Sequence, residues 1–128
     1  MKTIYIEPVA KARARVVVKN GRTLAFTPTK TKDAEQAIRI AILEDDTYEA
    51  GVPLKLTAIF YRQRPKALPK KIDKPIQKPD LDNYEKTLMD ACEKYLYPND
   101  SQITTKVTKK RFGSPPRIEF VLERDFDS

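Results

Sequence analysis

Apolar and polar residues change period several times along the chain, and each change marks an element. KTIYIE (residues 2–7) alternates, with Ile4 and Ile6 on one side, which predicts a short strand ended by Pro8. Two β-rich runs, roughly 13–19 and 22–27, flank Asn20-Gly21, the dipeptide best suited to the positive φ angles of a tight hairpin turn. Ala34, Ala37, Ile38, Ala41 and Ile42 then recur at helical spacing, predicting an amphipathic helix over 32–45, with Asp33 and Gln36 at capping-box spacing. The turn residues of 45–53 predict a connecting loop. PLKLTAIFYR is apolar on both faces towards its end, as a central strand is.

The next stretch breaks every period. Residues 62–79 hold seven Lys or Arg, four Pro and one acid, a composition incompatible with a helix or an inner strand. A loop of this length in a small domain is usually functional or disordered, and it is read here as a flexible, phosphate-gripping loop that orders on nucleic acid. A solvated linker is the plainer alternative.

A second helix is predicted over 82–96. Leu81, Tyr84, Leu88, Ala91, Cys92 and Tyr95 share one stripe, and Asp82, Lys86, Asp90 and Glu93 share the other. Asp82 with Glu85 has capping-box spacing, so Asp82 has a structural use, whereas Asp80 precedes that cap and has none. Past Pro98, Ile103, Thr105 and Val107 predict the inward face of a strand and Thr104, Lys106, Thr108 and Lys110 its basic outer face. Gly113 to Pro116 is a turn. A closing strand, RIEFVLER, points Ile118, Phe120 and Leu122 inward, and residues 125–128 are expected to fray. Together these elements predict a single α+β domain spanning 1–128: a mixed or antiparallel sheet of about five to six strands with two helices packed on it.

Charge directs this fold towards a partner. The net charge of +7 suits an anionic polymer, and no apolar run reaches the roughly 20 residues that span a bilayer. The expected partner is therefore nucleic acid rather than membrane. The amino terminus lacks the apolar core of a signal peptide, and a single cysteine suits a reducing, cytoplasmic setting. Candidate phosphate contacts are Lys11, Arg13 and Arg15, two residues apart on one face of an extended chain, and the loop residues Arg62, Arg64, Lys66, Lys70, Lys71, Lys74 and Lys78. Lys106 and Lys110 extend the basic surface. A row of cations is also what an edge strand uses to stay soluble.

The chain has no histidine and one cysteine, which removes imidazole chemistry and structural zinc sites. Carboxylates with a hard metal remain the main route to catalysis. Asp80 and Asp82 sit two apart at a loop-to-helix junction, where both can turn to one point. Oxygen-only ligation favours Mg²⁺, with Mn²⁺ a substitute, and Lys86 one turn on can reach a phosphate. Asp100 is the third candidate ligand, yet it follows Asp82 by 18 residues. A continuous helix would put it about 27 Å away, so either the following strand runs back past the helix start or a shortened helix and a folded-back loop bring it in. The same residues also allow a binding module without catalysis, in which Asp82 is only a cap and Lys86 only an ion-pair partner.

DLDNYEKTLMDA followed by NDSQI resembles the signature of the RusA family of Holliday junction resolvases, and GRTLAFTPTKT resembles the amino-terminal half of such proteins. The resemblance covers most of the chain. It implies Mg²⁺-dependent endonuclease cleavage of four-way junction DNA by a homodimer, with Asp80, Asp82 and Asp100 as metal ligands and Lys86 as an essential basic residue. Asn83 and Asp90 match recurring positions and take supporting roles. A two-fold pair of active sites also suits a junction that is nicked at two related phosphates. The implied process is DNA recombination and repair; a metal nuclease acting on branched DNA more generally remains an alternative.

Overall fold

The computed structural model of the chain describes residues 1–12, 15–26 and 29–128, without side chains for residues 15–17, 19 and 23–26. Six strands are described: β1 (Lys2–Ile4), β2 (Arg15–Lys19), β3 (Arg22–Phe26), β4 (Leu54–Arg62), β5 (Ile103–Phe112) and β6 (Arg117–Arg124). Helices α1 (Thr29–Ala41) and α2 (Leu81–Cys92) and one 3₁₀ turn, Asp100–Gln102, complete the fold. The architecture is α+β in a single domain, as expected. The strands divide into a mixed sheet of order β1-β6-β4-β5 and a separate β2-β3 hairpin, so the main sheet has four strands rather than five or six.

The hairpin turns on Asn20 (φ 53°) and Gly21 (φ 75°), both in the left-handed region that this two-residue turn requires. β4 is the centre of the main sheet, antiparallel to β6 and parallel to β5. Because parallel neighbours need a crossover, the chain between β4 and β5 crosses the sheet, and α2 is that crossover. Leu54, Leu56, Ala58 and Phe60 of β4 face the helices and are almost wholly buried against Ile38, Ile42, Leu88, Ala91 and Tyr84. Tyr84 stacks on Phe60 with ring centroids 5.5 Å apart. No described helix is long and apolar enough to cross a membrane.

Four local expectations are corrected. Helix α1 begins at Thr29 and ends at Ala41, so Asp33 lies within the helix rather than capping it. Helix α2 ends at Cys92, not residue 96, because Lys94 adopts a left-handed φ of 72°. That reversal breaks the helical phase, leaving Tyr95 51% exposed while Leu96 and Tyr97 enter the core.

The faces of β5 are the reverse of those expected. Leu54 pairs with Ile103 but Lys55 pairs with Thr105, and this bulge shifts the alternation by one residue. Ile103 still packs on the core, whereas Val107 turns to the uncovered face at 43% exposure and Thr108 meets α2. The tail, expected to fray, is tied down: the Asp125 carboxylate accepts from Thr104 (2.6 Å) and Thr105 (2.7 Å), and Lys55 pairs with Asp127 at 2.8 Å.

Candidate metal and nucleic-acid site

The crossover sets the amino-terminal end of α2 beside the carboxyl-terminal ends of β4 and β5. Two cations hold the chain there: Lys110 Nζ donates to the carbonyls of Gln77 and Pro79, both at 3.0 Å, and Arg62 donates to those of Gln77 (3.4 Å) and Lys78 (3.3 Å). Asp80 follows as the residue that caps α2, with extended backbone (φ −70°, ψ 149°), and its carbonyl accepts from Asn83 and Tyr84. The Asp80 side chain makes no capping bond. Asp82 lies in the first turn. The capping position thus belongs to Asp80, which corrects the assignment of that role to Asp82. Its supposed capping partner Glu85 is drawn away to β5, where its carboxylate accepts from Thr108 and pairs with Lys106 at 2.6 Å.

Both carboxylates are exposed, and neither has a hydrogen-bond or ion-pair partner among the described residues. The helix dipole favours negative charge at this end, so two unpartnered acids are tolerated here without a cation.

Lys86 stands one turn further along and pairs with Asp90 at 3.0 Å. The other oxygen of Asp90 meets Lys11 Nζ, also at 3.0 Å, and Lys11 reaches Glu35 of α1 at 2.7 Å. Burial works against the Lys11 charge, but hydrogen bonds to Glu35 and Asp90 outweigh it and raise the pKa. Asp90 likewise raises that of Lys86. Lys11 was expected to touch phosphate; here it is engaged by two carboxylates. Arg13 lies outside the described residues, as does the side chain of Arg15.

Asp100 sits beyond the other end of α2. Its Oδ1 accepts from the Tyr97 hydroxyl at 2.7 Å, and its backbone N–H donates to Glu93 at 2.8 Å. Burial raises its pKa, with the Tyr97 hydrogen bond opposing. Neighbouring Asn99 is used structurally: it accepts from the Ser101 N–H, and its own N–H donates to Gln102. β5 does run back past the start of α2, but it carries Lys106 and Lys110 there and leaves Asp100 at its own beginning. After Cys92 the chain folds back along α2: the Tyr97 hydroxyl that meets Asp100 also lies 3.5 Å from the Met89 carbonyl, and Asp100 is within electrostatic reach of Lys86. Among the described residues no group of three or more acids or cysteines is placed to hold a metal.

The basic loop has an order of its own. Arg64 donates to the carbonyls of Ile72 and Pro69, both at 2.6 Å, and lies over the Phe112 ring. Arg62, Arg64, Lys106 and Lys110 thus act largely as internal fasteners. Lys66, Lys70, Lys71, Lys74 and Lys78 are exposed, with no ion pair among the described residues. Sequence reasoning missed Glu35 and Glu85, both buried. A signal existed: Glu35 falls among Thr31, Ala34 and Ile38, and Glu85 among Leu81, Tyr84 and Leu88, so each places a charge on its helix's inner stripe.

Comparison with known proteins adds two findings. The family described as "Endodeoxyribonuclease RusA" matches residues 5–123, nearly the whole chain. The uncharacterised protein YqaN of Bacillus subtilis (strain 168) is 32% identical over 132 residues, covering 94% of this chain and 92% of that protein.

Proposed function

The chain belongs to the RusA family of endodeoxyribonucleases, and on that premise we propose that it is a Mg²⁺-dependent nuclease that resolves four-way DNA junctions as a homodimer in recombination and repair. The observation that carries this reading is the pair Asp80 and Asp82, exposed and without partners, at the amino-terminal end of a helix bordered by lysines. These residues fit a hard divalent cation in donor type. They offer only oxygens, the chain has no histidine, and its one cysteine is buried with its thiol pushed up to about 12 by burial. The metal, with Mn²⁺ a substitute for Mg²⁺, supplies Lewis-acid stabilisation of phosphate charge and an acidified water.

The protein's own part is to bind and to orient. Asp80 and Asp82 hold the cation, and the helix dipole behind them favours a phosphate at the same place. Lys86 presents its ammonium to the phosphate or the leaving oxygen. Lys66, Lys70, Lys71, Lys74 and Lys78 grip the DNA backbone and release counterions on binding. Asp100, within electrostatic reach of Lys86, completes the ligand set with Asp80 and Asp82, from the same chain or across the dimer.

The test is incubation of labelled four-way junction, duplex and single strand with the protein, with and without Mg²⁺, followed by product mapping. Paired nicks at symmetric positions in the junction, only with metal, are expected. Metal-indifferent binding without strand breaks would make the protein a binding module instead.

A further inference from the structure

We propose that Lys11 and Glu35 are positioning residues that act through Asp90 to hold Lys86 extended and charged towards the substrate phosphate, an inference that rests on the catalytic reading of Lys86. Lys86 is more than half exposed, and its ion pair with Asp90 one turn on is of a type that is weak by itself on a helix surface. Asp90 is only 20% exposed, and its two oxygens are divided: Oδ1 faces Lys86 and Oδ2 faces Lys11, each at 3.0 Å. Lys11 fixes the carboxylate plane and, by taking one oxygen, prevents Asp90 from closing both around Lys86.

The clamp is built from three separate parts of the chain. The backbone N–H of Lys11 donates to the Asn83 carbonyl at 2.9 Å, while its ammonium reaches Asp90 seven residues along the same helix. Glu35 of α1, 11% exposed, receives Lys11 at 2.7 Å and Arg39 at 3.4 Å. Arg39 in turn donates to the carbonyls of Asp90 (3.2 Å) and Ala91 (3.3 Å) and lies 4.8 Å from the Tyr95 ring centre. Three cations thus meet two carboxylates in direct ion pairs, Asp100 lies within electrostatic reach of Lys86, and Lys86 is the most exposed of the five ion-paired side chains. A solubilising surface pair would need none of this burial. An anion-contacting ammonium needs both features present here, a fixed direction and an exposed tip.

The experiment compares Lys11→Met, Lys11→Arg, Glu35→Gln and Asp90→Asn with wild type, in otherwise native and Lys86→Met chains. Single-turnover junction nicking, junction affinity without metal, thermal melting and the ¹H–¹⁵N signals of the lysine ammonium groups are measured. Lys11→Met is expected to slow nicking about 10- to 100-fold with affinity unchanged, as loss of a group that orients a catalytic one does. Lys11→Arg should restore part of the rate, and the Lys86→Met chain should show no further loss. The Lys86 ammonium signal should move in Lys11→Met, Glu35→Gln and Asp90→Asn alike. A nicking loss that follows affinity would make Lys11 a DNA contact, and a Lys86 signal indifferent to all three variants would overturn the clamp. If Lys11→Met fails to fold, Glu35→Gln and Lys11→Arg carry the same two readouts. Absence of nicking by the wild type would instead defeat the nuclease reading, leaving the ammonium spectra to judge the clamp.

Discussion

The two ends of α2 treat their acids differently. At the amino-terminal end, Asp80 and Asp82 are exposed and unpartnered among the described residues, although Asp80 occupies a position where a capping bond was available. At the far end, Asp90 is shared by two lysines, Glu93 accepts from a backbone N–H, and Asp100 accepts from Tyr97. The far acids already have protein partners and gain less from a cation. The near pair has only the helix dipole behind it, and a bound cation would be its first close partner. What separates the ends is therefore vacancy of ligation, not number of carboxylates.

The sharpest way to break this contrast is to neutralise one end at a time. Asp80→Asn or Asp82→Asn should lower Mg²⁺-dependent nicking at least about 100-fold, because a metal clamp supplies several kcal/mol to the transition state. Melting temperature should change little, since the only other contribution of each side chain is its interaction with the helix dipole, about 0.3–1 kcal/mol. Unaltered nicking in both variants, measured at single turnover, would remove them from the chemistry.

A second experiment joins the two ends. If Asp100 acts on the partner subunit, mixing inactive Asp82→Asn and Asp100→Asn chains produces hybrid dimers with one intact centre. Nicking should return to about a quarter of the wild-type level with random pairing, as expected for a two-fold dimer with shared sites. Centres confined to one chain would leave every hybrid inactive.

Smaller effects sharpen the contrast. Replacing Lys66, Lys70, Lys71 and Lys74 with Gln should weaken junction binding and flatten its salt dependence by up to about 0.9 in log–log slope for each phosphate no longer neutralised. An unchanged slope would reduce the loop to a linker. Tyr97→Phe should destabilise the fold by about 1 kcal/mol in a denaturant titration, since Asp100 loses the hydroxyl of a core tyrosine as donor. No change in stability would mean that this hydrogen bond is not the restraint it resembles.

Much of this was legible from local pattern, and the misreadings have physical causes. Asn20-Gly21 announced its hairpin because few dipeptides tolerate two successive positive φ angles. Leu54 to Phe60 announced a central strand through apolar content on both faces. The exchange of faces on β5 was not legible, because a bulge between paired strands depends on register with β4 and leaves no mark in the β5 sequence itself. Lys94 carries no glycine-like signal for its left-handed turn, so the periodicity extends the helix past its true end. Asp82 reads as the cap because Glu85 stands three residues on, whereas Glu85 is drawn to Thr108 and Lys106 from a distant strand. The motif around Asp80 and Asp82 was visible at once; the ion pairs that claim Lys11, Asp90 and Lys106 are long-range, and no spacing rule reports them.

The most direct test of the central claim is paramagnetic broadening of backbone amide signals by trace Mn²⁺ in a ¹H–¹⁵N spectrum. Broadening should centre on Leu81 to Asn83, extend to Asp100 if it completes the centre, and disappear in Asp80→Asn/Asp82→Asn protein. Broadening centred on another acidic group, such as Asp45 and Asp46 or the Asp125 tail, with Leu81 to Asn83 untouched, would contradict it.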